Sequence, residues 1–472
     1  NTEIKVLGDI GRSKLKDVLS NVQIFTQTNI LNSGKTSFED ILKASTNVNY
    51  SGVSSRPRYF QIRGIGEYEQ YVSQGGPSYY VASYIDNFNL SGLGLPLPLF
   101  DVSSVEVFKG GQSFAFGQNA LGGTIKVNLN KPKPIKESNI MLELGSFNKN
   151  NVHFVHNRPV TKNINLRLSI SKNNDNGFIY NTYLKDYSNK RNELTTNIQL
   201  SWNKILKSGN FLNLNISLID LDLDNNYDRW SFTNFDEMET FETHSNFSGL
   251  PNNESKDAII GKAQSIEANY FTKNLNFTTI ISSNDFELKH YYDADWSNQT
   301  QWADDHPAPY DTYYSYSQTE DRSRSDLAAE FKLSKTIGAN KGIFGIFNKS
   351  LKEKDLANGF VFWTNGGWVS KFESIYKIDY SSLYYQHNYK LSKNISIVLN
   401  LRQDNYKNNY NNNIETTNSS TYEQSYLEGS ENFNEDFIST RFGLKVYNTF
   451  ISASKNHKPG GFNQNPYVNS DY

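Results

Sequence analysis

Cysteine is absent from the 472 residues. This removes disulfide frameworks, cysteine-based zinc sites and thiol nucleophiles. Methionine occurs only twice and hydrophobic residues make up 37% of the chain, too little for the Leu-, Ala- and Met-rich core expected of a soluble enzyme this long. No charge of one sign dominates: the formal net charge is −2, so there is no overall basic field for nucleic acid. No run reaches the ~18 apolar residues of a transmembrane helix. No leader segment is visible, and a chain that begins at Asn1 carries no information on that point. The seven histidines are scattered. Metalloprotease, nucleophile-elbow and phosphate-loop motifs are all missing, so neither enzymatic chemistry, a cofactor nor a resident metal is expected.

Aromatic residues, in contrast, are abundant, at 14% with 30 Tyr and 30 Phe. Disordered chains are poor in such residues, so the aromatics have to be placed in an ordered fold. Up to about residue 130 the pattern is that of a small mixed domain. "TSFEDILKAST" (Thr36–Thr46) predicts a helix capped at Thr36 or Ser37, with Glu39 three positions after Thr36 and Phe38, Ile41 and Leu42 on one face. "YFQIRGIG" (Tyr59–Gly66) predicts a strand ending at glycines. "SYYVASYIDNFNL" (Ser78–Leu90) predicts a strand that turns near Asp86–Asn87 and returns. "VSSVEVFKG" and "GGTIKVNLN" predict two more strands. The prolines of "KPKP" (Lys131–Pro134) then interrupt any ladder.

After Pro134 the pattern changes to period 2. Ile164, Leu166, Leu168 and Ile170 alternate with Asn165, Arg167 and Ser169. Leu194, Ile198, Leu200 and Trp202 oppose Asn197, Gln199 and Ser201. Ile395, Ile397, Leu399 and Leu401 oppose Ser396, Asn400 and Arg402. Alternation of this kind marks strands with one apolar face, and about 14 such segments occur, bounded by turns such as "NNDNG". The segments are read as about 9 to 12 residues long, above the usual ~5–6. Long strands with one apolar face, one polar face and aromatic ends suit a transmembrane β-barrel, whose backbone must be fully paired within hydrocarbon. The polar, aromatic stretches 222–261 and 296–322 read as long loops at one barrel end.

On these residues the N-terminal region resembles the plug domain of TonB-dependent outer-membrane receptors of the iron-complex, siderophore type. The resemblance lies in "RYFQIRGIG", "YIDNFNL" and "LFDVSSVEVFKGGQSFAFGQNALGGTIKV" (Leu99–Val127), in that order and spacing. Lys109-Gly110-Gly111 stands where the family has Arg-Gly-Pro, and Phe116-Gly117 where it has Tyr-Gly. Near the end, "FISASKNHKPGGFN" (Phe450–Asn463) resembles a family barrel segment, with His457 in place of the usual Tyr. The implied fold is an all-β transmembrane barrel with an N-terminal mixed α/β plug in its lumen. The implied organisation is a TonB box and N-terminal segment over 1–12, a plug over 13–130, a linker over 131–134 and a barrel over 135–472. Family members close with about 22 strands, within the range of such barrels. With about 14 here the expectation is a chain truncated at its C-terminus, a curved open sheet around a plug.

The implied function is active uptake of a scarce nutrient, most often a ferric siderophore, across the outer membrane of a Gram-negative bacterium. The protein would act as a monomer in outer-membrane lipid. Cobalamin, haem, a carbohydrate or a phenolic compound are alternative ligands, and a passive pore or structural barrel is an alternative from another class. A TonB-type energy-transducing protein is the expected partner of Glu3, Ile4, Lys5, Val6 and Leu7, which can add as a strand to a partner's sheet edge. The plug motif residues are Arg63, Gly64, Glu106, Lys109, Gly110, Gly117, Gly122 and Gly123. Arg63, Glu106 and Lys109 are expected to face the barrel wall and pair with charges there. Ligand contacts are expected at the plug apex, segments 66–80 and 87–100, from Tyr68, Tyr71, Tyr79 and Tyr80 of the first, and from Trp230, Trp296, Trp302 and Tyr310 in the loops, because aromatic faces and hydroxyls suit an amphipathic chelate. The acidic run "DLDLDNNYD" (Asp220–Asp228) begins like a calcium loop. It lacks the glycine and the terminal glutamate such a loop needs, Ser231 standing at the latter position.

Overall fold

The computed structural model describes residues 6, 10, 14–34, 37–51, 54–67, 76–228, 231–232, 241–243, 245–295, 298–305, 313–364, 366–418 and 420–462. The N-terminal part contains β1 (Val22–Thr26), α1 (Gln27–Asn32), α2 (Phe38–Lys43), β2 (Val48–Ser51), β3 (Tyr59–Ile62), β4 (Ile65–Gly66), β5 (Val81–Ile85), β6 (Phe88–Asn89), β7 (Val102–Lys109), α3 (Ser113–Phe116) and β8 (Gly123–Leu129). Its main sheet has the order β1-β7-β8-β5-β6, and β2-β3-β4 form a separate meander. β5 and β8 run parallel and the other pairs antiparallel. The cap of α2 is Ser37: its hydroxyl accepts the Asp40 N–H at 3.3 Å and the Asp40 carboxylate accepts the Ser37 N–H at 3.4 Å. The capping box therefore runs Ser37–Asp40 rather than Thr36–Glu39, and Phe38, Ile41 and Leu42 form the buried face. The expected turn falls at Asp86, which takes φ 48°.

The rest of the chain is dominated by one antiparallel sheet. Its strands are β9 (Glu137–Gly145), β10 (Lys149–Pro159), β11 (Ile164–Asp175), β14 (Arg191–Ile205), β15 (Phe211–Asn225), β18 (Lys256–Phe271), β19 (Leu275–Asp293), β20 (Tyr314–Ile337), β21 (Asn340–Trp363), β22 (Gly366–Lys390), β23 (Ile395–Asn418), β24 (Gln424–Val446) and β25 (Thr449–Lys455). These are 13 strands in chain order, with β9 and β25 at the two edges. The described sheet is open, as the strand count predicts. A small sheet of β12 (Ile179–Asn181), β13 (Asp186–Ser188), β16 (Ser231–Phe232) and β17 (Phe241–Thr243) sits in the loops, with α4 (Gln299–Asp305).

Two expectations are corrected here. The strands are not uniformly 9 to 12 residues: β22 has 25, and β20, β21 and β23 have 24. At ~3.3 Å per residue these run roughly 80 Å, whereas ~9–11 residues cross a bilayer. Each long strand is therefore more than twice the length that a bilayer crossing needs. The loops are accordingly shorter than their sequence suggests. Residues 222–225 and 256–261 belong to β15 and β18, and 314–322 to β20.

Which side chains face out changes along the strands. Leu166, Leu200, Ile216, Ile266 and Ile281 are successive Cα partners across β11, β14, β15, β18 and β19. They form an outward aliphatic row, with Ile266 and Ile281 both 48% exposed. The polar sets read from the sequence, Asn165/Arg167/Ser169 and Asn197/Gln199/Ser201, are buried on the inner face. Further along β15 the polarity inverts. Ile219, Leu221 and Leu223 point inward, joined by Ile259 and Ala263 of β18 and by Phe286 and Leu288 of β19, and all pack into one core with Val105, Val107, Ile125 and Val127 of the plug. The wall is thus apolar along this part of its contact with the plug, not polar throughout. On the outside of this stretch, Asp220 and Asp224 meet Lys262 and Lys256 at 3.5 and 3.0 Å. Asp220, Asp222 and Asp224 of the acidic run stand on a charged outer strand face, whereas Asp228 is buried and accepts from the Thr243 and Ser245 hydroxyls, and among the described residues no cluster has the makings of a metal site.

Candidate functional site

The plug is tied to the wall by ion pairs reaching strands across the sheet. Arg58 pairs with Asp257 of β18 and Arg56 with Glu193 of β14. Asp101 takes a two-pronged contact from Arg167 of β11, with Nε at 2.8 Å. Arg324 of β20 donates to the Ser91 carbonyl and, at 3.1 Å, to the Tyr79 hydroxyl. Arg441 of β24 lies 4.2 Å from the centre of the Phe114 ring and donates to Ser20. None of Arg56, Arg58, Asp101, Arg167, Glu193 and Asp257 stood out as a site in the sequence. The available signal was a charge standing on the inward face of an otherwise uncharged alternation, as at Arg167.

The expected wall contacts of the plug motif are corrected. The Lys109 ammonium donates to Gln23 and Thr46, both at 2.7 Å, inside the plug itself. Burial and the nearby Arg63 guanidinium push its pKa below the usual lysine range. Glu106 is fully buried in the plug sheet, opposite Lys126 in register. Arg63 is exposed at φ 55°, in the turn it forms with Gly64. The motif glycines act sterically. At Gly117, φ is 73° and a Cβ would fall 2.2 Å from the Tyr380 hydroxyl of β22 and 2.7 Å from Arg402 of β23. At Gly123 a Cβ would meet the Phe108 carbonyl at 2.4 Å. Gly110 and Gly122 flank these on the same hairpin, where the Gly110 N–H donates to the Gly122 carbonyl at 3.1 Å.

Glu3, Ile4, Lys5 and Leu7 lie outside the described residues, as do Tyr68, Tyr71, Trp230, Trp296 and Tyr310. Val6 is fully buried against Val18 and Phe108, on the plug. The neighbouring Asp17 meets Lys445 at 3.3 Å, just before the tight turn to β25. This places Asp17, and Val6 packed beside it on Val18, at the short-turn end of the sheet. Tyr79 is buried, and burial raises its pKa above the normal phenol value. The Lys458 ammonium lies 4.6 Å from the centre of the Tyr80 ring. Trp302, in α4, packs on Tyr314 at 4.8 Å. Tyr79, Tyr80 and Trp302 do not converge on one cavity.

A cavity of about 550 Å³ does open between the plug and β9, β10, β11 and β14, at the long-loop end. The plug contributes Tyr50, Ser54–Pro57 and, from the expected segment 87–100, Leu95, Leu97 and Pro98. The wall contributes Glu143, Lys149, His153, Asp175, Arg191 and Glu193, and Phe147, Phe178 and Tyr227 line its aromatic side. A second cavity of about 140 Å³ lies deeper, between Tyr84, Phe116 and Lys126 of the plug and Glu330, Tyr384 and Arg402 of the wall. The larger cavity is big enough for a small ligand. The smaller lies along the plug–wall seam.

Comparison with known proteins agrees with this architecture. Residues 14–124 match the family described as the TonB-dependent Receptor Plug Domain. The chain superposes on the ferric yersiniabactin uptake receptor FyuA from Yersinia pestis with a TM-score of 0.76 at 14% identity, over 96% of this chain and 66% of that one. It is also similar to the siderophore receptor PiuA from Acinetobacter baumannii, at a TM-score of 0.68 and 13% identity over 96% and 66% of the two chains. For the open form of the Ferric-Catecholate import receptor Fiu from E. coli K12 the values are 0.66 and 14%, over 96% and 72%. The chain therefore spans about two thirds of the length of these receptors. Among the described residues no helix is long and apolar enough to cross a membrane. With a region matching the TonB-dependent Receptor Plug Domain at residues 14–124, packed against a wall of long antiparallel strands, the chain has the fold of the TonB-dependent receptors it is similar to.

Proposed function

We propose that this chain serves the active uptake of a ferric chelate across an outer membrane. The ligand would be taken at the long-loop end and released when a TonB-type partner pulls on the N-terminal segment at the short-turn end. The observation that carries this reading is the seating of the plug. It is held on opposite parts of the wall by contacts to β11, β14, β18, β20 and β24, so passage requires the plug to move and a passive pore is disfavoured. The similar structures named for ferric yersiniabactin and ferric-catecholate import favour iron. Segment 1–12 as a TonB box, 13–130 as plug, 131–134 as linker and 135–472 as wall is the organisation that fits. Within the box, Val6 is sheltered on the plug, so partner binding at Glu3–Leu7 would be strongest once ligand loosens that contact.

Two measurements test the proposal together. The first is binding of a peptide spanning Thr2–Asp9 to the periplasmic domain of a TonB-type protein. The second is tryptophan fluorescence of the detergent-solubilised receptor, titrated with ferric siderophores, haem, cobalamin and oligosaccharides. Peptide binding together with saturable quenching by a ferric chelate is the expected result. Quenching by another class alone would keep the transporter and overturn iron. No peptide binding, with ion conductance in planar bilayers, would overturn active uptake.

A further inference from the structure

We infer that the large cavity at the long-loop end selects a ferric chelate carrying a positive charge over an anionic one, an inference that rests on the uptake reading and names the ligand class of its site. Among the described lining residues the carboxylates are Glu39, Asp40, Glu143, Asp175 and Glu193, against the cations Arg56, Lys149 and Arg191. Five acids against three bases leaves a surplus of two negative charges.

The three cations are already engaged. Arg56 meets Glu193 at 2.5 Å, Lys149 meets Glu143 at 3.0 Å and Arg191 faces Glu39 at 3.8 Å. An anionic chelate would have to displace these carboxylates in a partly desolvated site, at a cost its own contacts would have to exceed. A cationic group meets the opposite situation. Asp175 has no Lys or Arg within ion-pair distance among the described residues, and its only described hydrogen bond is from the Gly177 N–H, at 2.9 Å.

A second observation, on a histidine outside the acid count, also points to an occupant. His153 is 3% exposed, lines the cavity and has no hydrogen-bond partner at either ring nitrogen. The Glu143 Oε1 atom lies 3.6 Å from Nε2, within ion-pair distance of it but beyond hydrogen-bond reach. Buried polar atoms are ordinarily satisfied; Nε2 and Oε1 face each other, which leaves His153 Nδ1 as the buried ring atom open to a polar ligand group. The opposite side is aromatic. Phe147 and Phe178, 6.5 Å apart and about half exposed, stand at the mouth with Tyr227. Aromatic faces beside unneutralised carboxylates are the chemistry that holds an ammonium or guanidinium group.

The test uses the full receptor in detergent and four probes read by calorimetry. They are a ferric trihydroxamate bearing a free primary amine, its N-acetylated neutral form, a trianionic ferric tris-catecholate and phenyltrimethylammonium. The amine-bearing complex should bind about tenfold more tightly than its acetylated form, the scale of one charge-assisted contact. Asp175→Asn and Glu143→Gln should each shrink that ratio, and Lys149→Gln, which removes a competing cation, should widen it. Equal affinity of the amine and acetylated forms, or tighter binding of the tris-catecholate, overturns the inference. If no ferric complex binds but phenyltrimethylammonium does, with Asp175→Asn abolishing it, the iron reading fails and the charge preference stands. If phenyltrimethylammonium also fails to bind, both fall.

Discussion

Arg58 and Asp257 lie 199 positions apart and are 2% and 1% exposed where they meet. The carboxylate also accepts the Ser55 N–H at 2.6 Å and lies 3.4 Å from His290 Nδ1. Three groups thus converge on one buried anion. A pair of this kind gives little net stability but is costly to break, because one charge is left buried without its partner. Asp257→Ala is therefore expected to loosen the plug by about 3–5 kcal/mol. Asp257→Asn, which keeps an acceptor for Ser55, should loosen it by less. Hydrogen exchange of the amides at 54–62 measures the effect, and unchanged protection in Asp257→Ala would show that this pair does not hold the plug.

Segment 456–462 follows β25 and runs along the plug. Asn456 Oδ1 accepts the Ser113 N–H at 2.9 Å, the His457 carbonyl accepts the Ser113 hydroxyl at 3.0 Å, and the Pro459 carbonyl accepts the Ser78 hydroxyl at 3.0 Å. His457 stacks on Phe437 at 4.3 Å, with Nδ1 2.6 Å from the Ser439 hydroxyl. Burial holds its pKa below the ordinary histidine value. The unfolded segment therefore binds a proton more readily than the docked one. Docking is fully favoured above about pH 6.5 and weakens as pH falls through the lowered value. Exchange at 456–462, corrected for its intrinsic pH dependence, should rise between about pH 7 and pH 5. His457→Phe should flatten that dependence, and a rise that persists in His457→Phe would place the titrating group elsewhere. The same histidine stands at the position where the resemblance expects a tyrosine, so the pH response belongs to this chain's own residue.

At the scale of the whole molecule, one chemical alternation serves two solvents. Where the aliphatic row of Leu166, Leu200, Ile216, Ile266 and Ile281 faces outward, the sheet suits lipid. Where Ile219, Leu221 and Leu223 face inward, it suits the plug and shows charge to water. Ile266→Arg should lower the folding yield into bilayers by about 2–4 kcal/mol if the row sits near the bilayer middle. Folding into vesicles, followed by electrophoretic mobility, measures this. A loss below about 1 kcal/mol would place the row at the interface instead.

Much of this was legible in the chain alone, and the reasons are local. The period of 2 at 164–170, 194–202 and 395–403 places Asn165, Arg167, Asn197, Gln199 and Arg402 on the buried inner face, because strand side chains alternate whatever lies around them. The turn at Asp86 and the helix at Phe38–Lys43 are likewise local matters of turn chemistry and capping. The polarity switch in β15 is also written there, in the adjacent apolar pair Leu218–Ile219, but its meaning is not: "DLDLD" reads equally as an acidic loop until β18 and β19 supply a lumen and a core on one side of it. Strand length eluded the sequence because a ladder can persist through polar residues once its neighbour is paired, as in β20 to β24. Which charge meets which was also beyond it. Lys109 turned inward to Gln23 and Thr46, while Arg56 and Arg58 reached the wall, because partners far apart in the chain are chosen by packing. The residues alone determined a plug followed by one-faced strands; the tertiary structure decided where that plug is held and where a ligand-sized cavity remains, since both depend on surfaces that exist only when distant segments meet.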